Sequence, residues 1–166
     1  MSDKSALKGK RILIAEDEPD VLETLKDLLD MCVVDTAADF ESGKALLEKN
    51  TYDIAILDIM GVRGYDLLSV ARERNIPAMM LTAHALTAED FSKSIKEGAV
   101  AYIPKEKMSE ITVYLTDLLR ARAGQEKPHK WFSRLESFFD GLFEINENYQ
   151  RLKKEYEEKY GPLERD

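Results

Sequence analysis

A single cysteine, Cys32, stands among 166 residues, so no disulfide can form within the chain. Its apolar neighbours place it in a short strand, where a thiol packs as a small inert group. A reducing cytoplasm is the compartment expected for such a chain. Positive charge is also short. The 24 lysines and arginines face 32 acids, for a net charge of -8, which argues against a nucleic-acid-binding surface. No apolar run is long enough to cross a bilayer. The opening residues, MSDKSALKGK, lack the apolar stretch of an export signal. Neither nucleic acid nor a membrane is therefore expected as a partner.

A hydrophobic share of 44% is enough for a real core, and the length suits one ordinary domain plus an appendage. Short apolar runs recur at residues 11–15 (RILIA), 32–34, 52–57 (YDIAIL), 76–81 (IPAMML) and 100–104 (VAYIP). Runs this short and this apolar predict strands buried on both faces. Helical spacing separates them. One helix is predicted to start at Pro19, with Leu22, Leu25, Leu28 and Leu29 inward. Others are predicted over 40–49, with Ala45, Leu46 and Leu47 inward, over 66–74, and from Thr87 to near Gly98. Asp90 three residues after Thr87 resembles a capping box. The last of this series runs from 109 to 123, with Ile111, Leu115, Leu118 and Leu119 inward. Five alternating units of this kind predict an α/β fold, a doubly wound parallel sheet with helices on both faces.

In such a sheet the carboxyl ends of the strands form the ligand-binding edge. Glu16 and Asp17 follow the first strand, Asp58 the third, Thr82 the fourth and Lys105 the fifth. Two like charges about 6 Å apart, at an effective dielectric of ~20, repel by roughly 3 kcal/mol. Three carboxylates brought together thus need a cation, and hard oxygen donors suit Mg²⁺. Beside that ion Asp58 is a credible nucleophile toward phosphorus. Lys105 is placed to pair with a phosphoryl oxygen and Thr82 to donate a hydrogen bond to another.

The segments ILIAEDEPD (12–20), AILDIM (55–60), MMLTAHA (79–85) and AYIPK (101–105) resemble, in order and separation, the receiver domain of two-component response regulators. The resemblance covers about residues 9–123. It implies a CheY-like, flavodoxin-like domain over 9–124 with strand order 2-1-3-4-5, after an N-terminal tail at 1–8. It implies Asp58 as phosphoacceptor. It implies Mg²⁺ held by Asp17, Asp58 and the Met60 backbone carbonyl, with Glu16 nearby or acting through water. Thr82 and Lys105 would contact the phosphoryl group, and Tyr102 matches the aromatic switch residue that moves with Thr82. The donor would be a histidine kinase or a phosphotransfer protein, and the output a change of contact with a downstream protein. Such a module is not an enzyme beyond its own phosphorylation and slow dephosphorylation.

Some residues depart from the family pattern. Glu16 replaces the commoner aspartate. Glu106 follows Lys105 where proline is usual, which removes the ordinary reason for a cis bond. The loop after Asp58 is shortened and lacks its usual proline. His84 lies at the edge of the site and could tune dephosphorylation or be solvated. An aspartate-nucleophile hydrolase would want a second acid two residues after Asp58, and Met60 stands there. A constitutive dimeric adaptor is the other alternative.

Beyond a polar linker at 125–130, which carries a solvated His129, residues 131–160 contain no proline and one glycine. Trp131, Leu135, Phe138, Leu142, Ile145, Tyr149, Leu152 and Tyr156 alternate by four and three, the pattern of a heptad seam. One long, coiled-coil-like helix over 131–160 is predicted, with a short tail at 161–166. Phe132, Phe139 and Phe143 widen its apolar stripe, and i,i+4 charge pairs such as Arg151/Glu155, Lys153/Glu157, Lys154/Glu158 and Glu155/Lys159 line its second half. Each large apolar side chain gains about 1.5–3 kcal/mol on burial, so the stripe must be covered. A homodimer through the seam is expected. Folding back on its own domain, or another protein, is the alternative.

Overall fold

The computed structural model describes residues 4–83 and 86–164. A short helix α1 (Lys4–Leu7) leads into β1 (Arg11–Ala15), α2 (Pro19–Leu28), β2 (Val33–Ala37), α3 (Phe40–Lys49), β3 (Ile54–Asp58), α4 (Gly64–Glu73), β4 (Ala78–Thr82), α5 (Ala88–Lys96) and β5 (Ala101–Pro104). A 3-10 turn (Lys105–Glu110) precedes α6 (Ile111–Arg122). The five strands are parallel in the order β2-β1-β3-β4-β5, the predicted doubly wound sheet. β3 and β4 are buried at every residue, as expected of central strands covered by helices on both faces.

The helix starts follow local chemistry. Pro19 opens α2 at a position where its missing N–H costs nothing. The Asp39 carboxylate caps α3 by accepting from Ser42 N at 2.8 Å. The Thr87 hydroxyl caps α5 by accepting from Asp90 N at 3.0 Å, but the reciprocal half of the expected capping box is absent, because Thr87 N donates to the Tyr102 hydroxyl instead. Within α3 only Leu47 of the predicted inward trio is buried, Leu46 is half-buried and Ala45 faces solvent. Cys32 precedes β2 rather than lying in it. Its thiol donates to Leu7 O at 3.4 Å, and burial pushes its pKa up to about 11, so it stays protonated and unreactive.

The C-terminal region corrects the sequence reading. In place of one helix over 131–160 there are two, α7 (Lys130–Phe143) and α8 (Glu147–Tyr160), folded into a hairpin. The break lies at Asn146. Its backbone is extended, and its side-chain carbonyl accepts from Tyr149 N at 3.1 Å, capping α8. The heptad seam is therefore split. Trp131, Leu135, Tyr149 and Leu152 are buried, Phe138 and Tyr156 are half-buried, Leu142 is 51% exposed, and Ile145, at the turn, is 96% exposed. The side chains outside the strict seam settle the geometry. Phe132, Phe139 and Phe143 are buried with Trp131 and Leu135, so α7 is rotated to present a broad aromatic face. A straight helix would leave that face in water, whereas a hairpin buries it against the chain's own domain. Six of the eight seam residues are thus buried or half-buried within the chain, while Leu142 and Ile145 remain exposed.

The hairpin packs on α5, β5 and α6. Phe91 of α5 forms the hub, with ring centroids 4.6 Å from Phe139, 5.4 Å from Phe132, 5.9 Å from Trp131 and 6.1 Å from Tyr149. Polar contacts set its orientation. Arg134 pairs with Asp117 of α6 through Nη2 at 3.1 Å, and Asn146 reaches Glu89 of α5 at 3.3 Å. Between the two arms, Lys153 lies 2.6 Å from the buried Glu136 carboxylate and 3.1 Å from Asp140. Of the four predicted i,i+4 pairs only Lys154–Glu158, at 4.0 Å, is seen among the described residues. His129 is only 1% exposed, contrary to the solvated position expected for it, and its Nε2 lies 2.8 Å from Gly161 O at the base of the hairpin.

Candidate functional site

Parallel register places the strand ends side by side. Ala15 pairs with Leu57, Asp58 with Leu81, and Thr82 with Pro104. The residues that follow therefore meet at one edge. The Glu16 amide donates to Ala37 O at 2.9 Å, which continues the β1–β2 ladder by one residue and keeps the Glu16 side chain buried. Asp58 ends β3 and is 4% exposed, and Thr82 ends β4 at 1%. Lys105 comes directly after β5, and its ammonium lies 3.2 Å from Asp58 Oδ1, 2.9 Å from Glu16 Oε1 and 2.9 Å from Glu18 Oε1. Asp17 is exposed, and its carboxylate rests on Gly61 of the loop after β3.

The charges do not balance. Four carboxylates, from Glu16, Asp17, Glu18 and Asp58, face the single ammonium of Lys105. Burial, followed by repulsion from Glu16, pushes the Asp58 carboxyl up to about 7, against the pull of Lys105. Burial by itself would lower the Lys105 pKa, but the carboxylates of Glu18, Glu16 and Asp58 outweigh it and the pKa is raised. Glu16 Oε1 is buried and lacks an aligned hydrogen bond, despite its ionic contact with Lys105. A buried carboxylate in a surplus of negative charge that one ammonium does not neutralise fits a hard divalent cation. Oxygens of Glu16, Asp17 and Glu18 lie within 4.8 Å of one another, close enough to share one ion.

Every predicted strand-end residue thus reaches this edge. Glu18 is the acid that motif reasoning missed, although it extends the run of acids to three just before Pro19. Its own amide donates to Glu16 Oε2 at 3.1 Å. Tyr102 stands apart from the carboxylates, buried at the centre of β5 with its ring stacked on Phe91 at 4.8 Å. Its hydroxyl accepts from Thr87 N at 3.3 Å and is 3.4 Å from Thr87 O. Met60 is exposed in the turn after β3. His84 lies outside the described residues. No cis peptide bond occurs among the described residues, in keeping with glutamate rather than proline after Lys105.

The shortened loop after Asp58 is tightly built. α4 begins at Gly64, two residues earlier than predicted, because Gly64 N donates to Ile59 O at 3.0 Å and its backbone lies directly on β3. A Cβ at Gly64 would fall 2.3 Å from Asp58 O and 2.7 Å from Ile59 Cα. Neither backbone atom can yield without displacing Asp58. Gly64→Ala should therefore cost about 2 kcal/mol or more in urea denaturation, and it should impair whatever chemistry Asp58 performs. An unchanged midpoint would contradict that packing.

Comparison with known proteins agrees with this geometry. Residues 12–116 match the family described as response regulator receiver domain. The chain is 33% identical over 103 residues to the two-component response regulator ARR18 of Arabidopsis thaliana, covering 58% of this chain and 16% of that one. It is 32% identical over 123 residues to the transcriptional regulatory protein RprY of Bacteroides fragilis, covering 70% and 52%. The chain thus spans well under two thirds of the length of these relatives. Among solved structures, a putative response regulator of Chloroflexus aurantiacus superposes with a TM-score of 0.60 at 28% identity, covering 69% of this chain and 99% of that one. A CheY-like receiver domain protein of Methanospirillum hungatei superposes at 0.59 and 26%, with the same coverage. Nearly a third of the present chain lies outside both likenesses.

Proposed function

The chain belongs to the response regulator receiver family, and from that premise we propose that Asp58 accepts a phosphoryl group and passes the signal on through protein contacts. One observation carries this reading: a buried Asp58 carboxylate, raised in pKa, sits 3.2 Å from the Lys105 ammonium in a pocket with excess negative charge. Asp17, Asp58 and the Met60 backbone carbonyl, with Glu16 directly or through water, would hold Mg²⁺. That ion neutralises charge on the phosphoryl oxygens during transfer. The donor in this reading is the phosphohistidine of a histidine kinase or phosphotransfer protein. An Asp58 oxygen forms the new bond to phosphorus while the P–N bond breaks, and the imidazole leaves with the electron pair. Lys105 then turns from the carboxylates to a phosphoryl oxygen, and Thr82 donates a hydrogen bond to another.

Receiver domains are generally signalling modules rather than enzymes. Met60 supplies no acid or base two residues past Asp58, so a hydrolase reading gains nothing from this site. The test is intact-mass spectrometry after incubation with Mg²⁺ and a small phosphodonor such as acetyl phosphate. The wild-type chain should gain one phosphoryl group, and Asp58→Asn should lose that gain almost entirely. Equal labelling of the variant would overturn the proposal.

A further inference from the structure

Tyr102 belongs to two assemblies at once. Along β5 it stands three residues before Lys105, and across the sheet it pairs with Met80, two residues before Thr82. Its hydroxyl holds the backbone of Thr87, the residue that caps α5 and ends the segment leading from Thr82. Its ring is clamped on the other side. It stacks on Phe91 at 4.8 Å and lies 6.1 Å from Phe139 of α7. Phe139 in turn stands 5.9 Å from Phe132 and 6.1 Å from Phe143, so the clamp is continuous with the hairpin's aromatic face. With the hairpin docked, Tyr102 is fully buried and its outward path is filled.

We propose that the α7–α8 hairpin is an in-cis partner of the α5–β5–α6 face, and that its docking and the loading of Asp58 strengthen each other. The inference rests on Asp58 being the phosphoacceptor. The physical route is preorganisation. By holding Tyr102 inward, the docked hairpin fixes Thr87 and steadies β5 against β4, which ends at Thr82. Thr82, which meets the phosphoryl, is thereby ordered before it arrives, and the cost of ordering it is not met again on loading. Coupling of this kind is reciprocal, so a loaded Asp58 must tighten the hairpin to the same degree. The family match ends at residue 116, so this occupant is supplied by the part of the chain that lies beyond it.

The experiment uses the full chain with Mg²⁺ and beryllofluoride as the phosphoryl mimic. Amide exchange across residues 130–160 is followed by mass spectrometry, and loading is read independently by ¹⁹F NMR. In the wild type, loading should slow hairpin exchange about fivefold or more. Phe139→Ala, which opens the clamp, should weaken beryllofluoride binding by a similar factor. Arg134→Gln, which removes only the ion pair to Asp117 and leaves the aromatic core intact, should act in the same direction to a smaller extent. Unchanged or faster hairpin exchange in a chain that ¹⁹F NMR shows to be loaded would overturn the coupling alone. Failure of the wild type to load at all would overturn the phosphoacceptor reading, and the coupling with it.

Discussion

Phe91→Ala should destabilise the protein by about 3–5 kcal/mol. The ring is fully buried and touches aromatic rings of β5, α7 and α8 simultaneously, so no one neighbour can collapse into the space it leaves. Ile145→Ala is the matched control. A seam isoleucine in a continuous coiled coil would cost about 2–5 kcal/mol on truncation, but at 96% exposure Ile145 should cost almost nothing. Urea denaturation followed by Trp131 fluorescence reads both, because Trp131 is the sole tryptophan and its ring lies 5.9 Å from Phe91. Equal losses from the two variants would favour the continuous helix over the hairpin.

That contrast marks where sequence reasoning ran short. The four strands that build the edge were legible because a buried parallel strand leaves an apolar run, whereas β2, an edge strand exposed over much of its length, showed only its start at 32–34. The helix cap at Thr87 was equally local. The hairpin was not. The spacing from Trp131 to Tyr156 satisfies a heptad without a miss, and Asn146 is a weak helix residue rather than a breaker. What decides the turn is tertiary: Phe132, Phe139 and Phe143 fall outside the strict seam and need a second surface, and the rings of Phe91 on α5 and Tyr102 on β5 provide it. Lys153 shows the same override. Its spacing favours Glu157, but it pairs with Glu136 and Asp140 on the other arm, where the partner is shielded from water and the interaction stronger. His129 reads as linker in sequence and is buried because Tyr156 and Tyr160 of α8, with Gly161 beyond them, close over it. Glu18 escaped notice because three consecutive acids before a helix also describe an ordinary solvated first turn.

Asp58→Asn should stabilise the metal-free protein, and the gain should depend on pH. In the unfolded chain this carboxyl titrates near 4, whereas burial and Glu16 push it up to about 7 in the folded state. Between those values the folded state holds a proton that the unfolded state has lost. Stability contributed by this group therefore falls as pH rises from about 4 to 7 and levels off above that. At about 1.4 kcal/mol per pH unit, the accumulated penalty at pH 8 is of order 2–4 kcal/mol. The asparagine removes it, so the two proteins should be close in stability at pH 4 and separate progressively up to pH 7. Mg²⁺ should act in the opposite sense. It binds the ionised carboxylate, so saturating Mg²⁺ should stabilise the wild type more at pH 8 than at pH 5 and should leave Asp58→Asn nearly unmoved. Thermal or urea denaturation across that range checks both effects. A stability difference that stays flat with pH would show that Asp58 is ionised at little cost. The strained, proton-holding carboxylate would then be ruled out.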